Sequence, residues 1–282
     1  MADMPFSNID LLSLPSETAF QNGMRFRTHA TRRIDVRTDE GIAQLKAHLA
    51  GGDLAVLGVY GYGNLPAVTS YNNTYTVSQT FDWRLMWHDV TIVGYDDNFA
   101  TADGPGAFRI VNSWGPNWGD NGYFWMSYQA VKDPKTSSGY VLYAEDRPHY
   151  EPVLEMRIEL GYPDRYNLVM HVGWDGAGDK KGADFFNFNF MQPVWNNVPF
   201  QEGAMALDLT DLLPAPAGKA RLQVRFQDRR DGTPITPTVR YLEIENLLTG
   251  RRITVPPEAL SVPASSGAMG VLVPPELLVP VR

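Results

Sequence analysis

From about His149 onward the chain is written in short runs that alternate apolar and polar residues: VLEMRIEL, YNLVMHVGW, FFNFNF, MALDLTDLL, ARLQVRFQD and VRYLEIENL, with turn-forming residues between them. A β-strand points successive side chains to opposite faces, so a period of two buries one face and leaves the other wet. Several such strands at regular spacing predict an antiparallel β-sandwich or jelly roll over residues 149–282. Proline punctuates the tail at Pro256-Pro257, Pro263, Pro274-Pro275 and Pro280, where edge strands or extended coil are expected. No internal repeat is visible.

The first half is patterned differently. Residues 1–31 show weak periodicity and read as a lead-in segment. Arg33–Arg37 is a short alternating strand candidate, and Thr38 looks like an N-cap, with Asp39 and Glu40 near the positive end of the helix dipole. Ile42, Leu45 and Leu49 share one helical face, and Gly51-Gly52 ends the helix. LAVLGVY (54–60) is an apolar run of strand length, followed by a loop rich in Gly, Asn, Pro and Tyr. DVTIVGY (89–95) and AFRIV (107–111) read as strands joined by a turn-prone segment, 96–106, and YFWMSY (123–128) as one more. One helix followed by several strands predicts a small mixed or barrel-like unit over residues 32–148. The fold class expected for the whole chain is α+β, mostly β.

Composition narrows the function classes. The chain has 282 residues, 44% of them hydrophobic, which is ample for one large or two modest packed domains. A formal net charge of -8 excludes the basic footprint of a nucleic-acid binder. No apolar run approaches the ~18 residues of a membrane-spanning helix. The opening residues lack the charged n-region of a signal peptide, so none is expected. The sequence contains no cysteine, which excludes disulfides, thiolate metal sites and a thiol nucleophile supplied by this sequence.

Two stretches stand out: His88-Asp89-Val90-Thr91-Ile92-Val93-Gly94-Tyr95-Asp96 and Val111-Asn112-Ser113-Trp114-Gly115-Pro116-Asn117-Trp118-Gly119-Asp120-Asn121-Gly122-Tyr123. A histidine opening one strand and an asparagine ending its neighbour can meet at one end of a sheet. The asparagine oxygen then accepts a proton from one ring nitrogen and fixes the tautomer, while the other nitrogen faces a nucleophile. Trp114 and Trp118 can cover that hydrogen bond.

These stretches resemble the papain-like cysteine peptidases, in which a HAV-x-x-VGY strand and an NSWG-x-x-WG-x-x-GY segment carry the catalytic His and Asn. The helix ending at Gly51-Gly52 followed by LAVLGVY also resembles that family's right-hand domain. The resemblance covers roughly residues 33–147. It implies that His88 is the general base and Asn112 its orienter, that Trp114 shields their hydrogen bond, and that Trp118 lines the leaving-group side of the cleft. It implies no cofactor and no metal. The family's nucleophilic Cys and oxyanion-hole Gln lie on a left-hand domain about 130–150 residues upstream of the histidine. Only 87 residues precede His88, and no C-G-S-C-W-like segment is among them. The left-hand domain is therefore expected to be absent from this chain rather than mutated. Asp89 replaces the small residue that usually follows the histidine. It either sits beside the ring and favours its charged form, or points away along the strand.

The expected function is the C-terminal portion of a papain-like cysteine-type peptidase, hydrolysing peptide bonds in a peptide or protein substrate only with a left-hand domain that carries the cysteine. Without a thiolate it has no ion pair, no acyl-enzyme and no oxyanion hole, and so is inactive alone. The alternative is a non-catalytic binding or adhesion protein that reuses a half-peptidase and a sandwich. A metal-dependent hydrolase at His88 lacks a ligand set. By resemblance the chain leans toward an extracytoplasmic location. His29, His48, His149 and His171 have no partner pattern and read as surface or packing residues. Asp96, Asp97, Asn98 and Asp103 lack ligand spacing and read as a solvated turn. Phe185, Phe186, Phe188, Phe190 and Trp195 present either a carbohydrate-stacking platform or, by alternation, a core face. Arg229-Arg230-Asp231-Gly232 reads as a charged hairpin tip.

Overall fold

A computed structural model describes residues 14–175, 184–187, 198–200, 202–215 and 220–278. The chain divides into two compact units. One is Thr28–Arg147; the other joins the described residues before Thr28 to those from Pro148 onward. The expected class, mostly antiparallel β with few helices, is what forms.

The Thr28–Arg147 unit contains β1 (Thr28–Asp35), α2 (Asp39–Ala50), β2 (Ala55–Gly61), β3 (Thr74–Tyr75), β4 (Met86–Thr101), β5 (Gly104–Val111), β6 (Tyr123–Ser127), α3 (Tyr128–Lys132) and β7 (Ser137–Asp146). A short helix, α1 (Glu17–Gly23), precedes them. One seven-stranded sheet runs β1-β7-β2-β4-β5-β6-β3, antiparallel except for the β3–β6 pair. Helix α2 begins as its residues dictate: the Thr38 hydroxyl accepts the Gly41 N–H at 3.0 Å, Asp39 and Glu40 occupy the first turn, and Gly52 takes φ +95° just beyond the end. Ile42, Leu45 and Leu49 bury that helix face in a core with Leu57, Val59, Val90, Ile92, Phe108, Ile110 and Phe124.

Three features depart from the sequence reading. Residues 28–31, read as lead-in, are the start of β1, which pairs with β7 from Thr28↔Asp146 to Asp35↔Tyr140. Segment 96–106, read as a turn, is mostly hairpin: β4 and β5 continue to Thr101↔Gly104, past a bulge between Asp96 and Ala100. Acidic residues are tolerated there because that end of β4 is largely exposed. Strand β7 carries Tyr140, Val141, Leu142 and Tyr143 in succession, so both its faces are apolar and no alternation advertises it.

The second unit holds β8 (Leu154–Gly161), β9 (Leu168–Trp174), β10 (Asp184–Asn187), β11 (Met205–Asp208), β12 (Ala220–Asp228), β13 (Thr238–Asn246), β14 (Arg251–Thr254) and β15 (Ala268–Val273). They make two antiparallel sheets, β10-β9-β12-β15 and β11-β8-β13-β14. The inward residues of both sheets share one core, including Met156, Ile158, Met170, Val172, Leu222, Val224, Phe226, Leu242 and Ile244. This is the predicted sandwich, and the proline-punctuated tail supplies edge strand β15. Helix α1, capped by Ser16, lies against β11 and so belongs to the sandwich. Side chains of Phe185 and Phe186, together with Phe188, Phe190, Trp195 and Pro280, lie outside the described residues.

Candidate active site

His88 is the third residue of β4 and shares the core-facing side of that strand with Val90 and Ile92, which are buried beneath it. Asn112 follows the last residue of β5. The Thr91↔Val111 register sets Asn112 level with Val90, diagonal to His88 on the same face. The two side chains meet: His88 Nε2 lies 2.7 Å from Asn112 Oδ1. The same oxygen accepts the Ser113 backbone N–H at 2.8 Å.

That second bond fixes the chemistry. A backbone N–H can only donate, so the amide atom facing Ser113 must be oxygen. The His88 nitrogen facing the same atom must then be the donor. His88 therefore carries its proton on Nε2 when neutral, and Nδ1 is left with a lone pair. Asn112 is buried, and its Nδ2 has no hydrogen-bond partner. A buried unpaired polar group costs about 1–3 kcal/mol, so packing alone does not explain an asparagine here.

The loop between Asn112 and Tyr123 closes on itself. Asn112 N–H donates to Gly122 O at 2.9 Å, and Gly122 N–H donates to Trp118 O at 2.7 Å. Gly115, Gly119 and Gly122 all adopt positive φ. A Cβ on Gly119 would stand 2.5 Å from the Tyr123 carbonyl oxygen, so no other residue fits without moving the backbone. The loop lays Trp114 on the imidazole, with ring centroids 5.1 Å apart and planes at 24°. Trp118 meets Trp114 edge-on at 4.9 Å, packs against Phe124, and donates its Nε1–H to Pro66 O at 3.2 Å. Trp114 thus lies against the imidazole and is itself packed edge-on by Trp118.

Asp89 leaves β4 on the opposite face from His88. Its carboxylate lies beside Gly58, where an added Cβ would come within 3.4 Å of Oδ1. Of the two placements open from sequence, it takes the one that points away.

The remaining candidates are engaged elsewhere. Asp97 pairs with Lys46 at 2.6 Å and accepts the Tyr128 hydroxyl at 2.6 Å. Asp103 accepts the Val77 and Ser78 N–H groups and the Ser127 hydroxyl, and Asp96 accepts the Asn98 N–H. Among the described residues no group of His, Asp or Glu side chains is arranged to hold a metal ion. His48 lies tilted against Tyr143, with ring centroids 4.1 Å apart, and reaches Leu54 O at 3.1 Å, far in sequence from the site. Arg230 is tied back to Asp228 at the hairpin tip after β12.

Sequence reasoning passed over two things. Ser113 matters through its backbone, which no side-chain pattern reveals. The segment before His88 was read as loop, yet it presents Phe81, Trp83, Leu85 and Trp87 to solvent, at 41%, 77%, 46% and 55% exposure. The FDWRLMW alternation running into β4 was the available signal.

Residues 37–141 match the family model of the papain family cysteine proteases. An uncharacterized peptidase C1-like protein of Acanthamoeba polyphaga mimivirus is 30% identical over 115 residues, 39% of this chain and 34% of that protein. A cathepsin B-like protein of Giardia intestinalis is 42% identical over 78 residues, 27% of this chain and 23% of that protein. Chymopapain of Carica papaya is 43% identical over 53 residues, 19% of this chain and 14% of that protein. Among solved structures, xylellain, a cysteine protease from Xylella fastidiosa, is 27% identical, with coverage of 48% of this chain and 47% of that one and a TM-score of 0.36. The chain thus spans about a third or less of the curated relatives it matches.

Proposed function

We propose that the papain-family domain at residues 37–141 supplies the base-and-orienter half of a cysteine-peptidase active site, with the thiol contributed by a polypeptide other than the sequence given. The observation that carries this reading is the 2.7 Å bond from His88 Nε2 to an Asn112 oxygen already held by Ser113 N–H, because it leaves Nδ1 as the imidazole's open nitrogen.

In this role His88 Nδ1 takes the proton of an incoming cysteine thiol, giving a thiolate–imidazolium pair. The thiolate attacks the scissile carbonyl, and the same Nδ1–H then protonates the leaving amine as the C–N bond breaks. Water, deprotonated by Nδ1, hydrolyses the thioester and returns the thiol. Asn112 keeps the ring oriented throughout and accepts the Nε2 proton's hydrogen bond in both charge states. Trp114 excludes water from that bond, and Trp118 lines the side from which the amine departs. The substrate class is a peptide or protein. With no cysteine in 282 residues, the chain alone has no nucleophile for this route and is expected to be inactive.

The same absence favours a second reading, in which the half-site and the sandwich serve binding without catalysis. Mixing the full chain with a cysteine-bearing left-hand domain and following a fluorogenic peptide separates the two. Hydrolysis that appears on mixing and falls at least a hundredfold with His88→Ala supports the peptidase reading. Hydrolysis unaffected by His88→Ala, or none while the two chains demonstrably associate, leaves the binding reading.

A further inference from the structure

A dense cluster of charge sits on the outer face of the sheet β11-β8-β13-β14, where helix α1 lies against β11. Glu155 on β8 stands directly opposite Asp208 on β11 and Glu245 on β13. Three carboxylates thus run side by side across three strands, and like charges placed opposite one another destabilise a sheet. Glu155 is 1% exposed, and Asp208 and Glu243 are also buried. The cations around them are shared. Arg157, two residues along β8, donates to Glu243, Glu245 and Glu17, and its Nε stays 3.9 Å from Glu155 Oε1. Arg252 on β14 lies 3.9 Å from Glu243 and Glu245. Arg27 lies 3.5 Å from Asp208, which also accepts the Tyr150 hydroxyl at 2.7 Å. Among the described residues, Glu155 Oε2 has no hydrogen-bond partner.

Helix α1 is held to this face by polar contacts more than by apolar area. Of its seven residues only Ala19 is buried, with Phe20 packed in part against the sandwich core. Seven residues are too few for a helix to persist alone in water, so α1 is helical while it is docked. Gln21 Nε2 donates to Glu155 Oε1 at 3.0 Å, and Glu17 accepts from Arg157 at 3.3 Å. Just beyond the helix, Arg27 pairs with Asp211 at 2.9 Å. Glu155 can accept the Gln21 bond whether neutral or charged. Its charge alters the cost of enclosure instead: an ionised carboxyl this deeply buried between two like charges needs the water that a docked helix keeps out.

We propose that α1 is a pH-operated clasp on the sandwich, closed while Glu155 is protonated and loosened as that carboxyl ionises. Burial above all, with Glu245 and Glu17 in support, holds the Glu155 carboxyl above its ordinary range, against the Gln21 hydrogen bond and the Arg157 charge. A carboxyl raised in the docked state favours docking in full below its undocked pKa, and that contribution is lost as pH rises through the docked one. The clasp is therefore tightest in acid and weakens toward neutral pH. The chain passes from α1 through Arg27 into β1 at Thr28, so the clasp governs one of the two chain connections between the sandwich unit and the papain-family domain.

The test is amide hydrogen exchange of the full chain at about pH 5 and pH 8, on either side of a raised carboxyl value, corrected for intrinsic exchange rates. Residues 17–24 should exchange faster than β9 and β12 at both, the mark of local release. In the wild type their protection should fall about tenfold or more from pH 5 to pH 8, the change that one unit of pKa difference produces. Glu155→Gln should remove that fall. Gln21→Ala should lower protection at both pH values and keep the fall, because the titrating group is still present. Protection of α1 that is the same at both pH values, or that falls as far in Glu155→Gln, overturns the clasp. Protection of α1 equal to that of β12 overturns it too, since the helix then opens only with the whole sandwich. Should Glu155→Gln lose protection in β12 at pH 5 and so prove misfolded, Glu245→Gln takes its place. With the opposing charge removed, its fall should be smaller than that of the wild type, and an equal or larger one overturns the proposal.

Discussion

The two units use the same strand chemistry to different ends. In the sandwich, inward positions are almost uniformly apolar, and the polar cluster on β8 and β13 lies on the opposite face of its sheet, alternating with the inward Met156, Ile158, Leu242 and Ile244. There Arg157 pairs with Glu243, Glu245 and Glu17, and buried Glu155 accepts Gln21 Nε2 at 3.0 Å while its other oxygen has no partner. In the Thr28–Arg147 unit, polar groups instead hold the loops: Asn112 with Ser113, Asp103 with three donors, and glycines at positive φ between the tryptophans. The sandwich is thus stabilised mainly by area buried between two sheets, and the papain-family unit by area plus backbone geometry around one motif. A site that must present two named atoms to each other needs the second kind of construction, because apolar packing is tolerant of small shifts and a hydrogen bond is not.

The largest effect that would break this contrast comes from the sandwich core. Phe226 is fully buried between the sheets, and Phe226→Ala is expected to cost about 3–5 kcal/mol. Hydrogen exchange should quicken at β8 and β13 and stay unchanged at β2 and β5; equal quickening in both units would mean that they do not fold separately. Next in size, Gly119→Ala should cost about 1–3 kcal/mol through its φ of +60° and the clash with Tyr123 O. Its mark would be faster exchange of the Gly122 amide, which donates to Trp118 O, with the sandwich untouched.

The smallest effect concerns pH, and its sign differs between the units. Burial pushes the Glu155 carboxyl up, against the Gln21 hydrogen bond and the Arg157 charge. A carboxyl raised on folding contributes stability that is full below its unfolded pKa and is lost as pH rises through the folded one. Glu155→Gln should therefore stabilise the sandwich at neutral pH, by about 1 kcal/mol, and flatten its pH dependence. Burial also opposes ionisation of Asp103, but the hydrogen bonds from Ser127, Ser78 and Val77 outweigh it and hold the carboxyl below the usual range. Its stabilisation is present above the unfolded pKa and lost as pH falls through the folded one. Asp103→Asn should thus destabilise at neutral pH and matter least in acid. Chemical denaturation followed from about pH 2 to 8, which extends to both sides of ordinary carboxyl values of about 4, reads both; slopes of the same sign would erase the contrast.

Much of this architecture was legible in the residues. Thr38 as a cap, the Ile42/Leu45/Leu49 stripe and the alternating sandwich strands are local patterns whose period is set by backbone geometry, so they survive without tertiary context. So is the order of His88 before the Asn112–Tyr123 segment, whose glycines and tryptophans mark a loop with one workable shape. What stayed hidden depended on neighbours distant in sequence. Strand β7 is apolar on both faces, so no period identifies it, and only pairing with β1 and β2 makes it a strand. The hairpin through Asp96–Gly106 required β5 opposite it. Whether Asp89 faced the imidazole was undecidable from adjacency alone, and the pleat of β4 settled it by sending the two side chains to opposite faces. The sequence by itself determined which residue types were available to meet, an imidazole, a carboxamide and two indoles, because those are matters of composition and order. Tertiary structure alone decided that Ser113 N–H turns the amide oxygen toward His88 and frees Nδ1, since a hydrogen bond between strands exists only once their register is set.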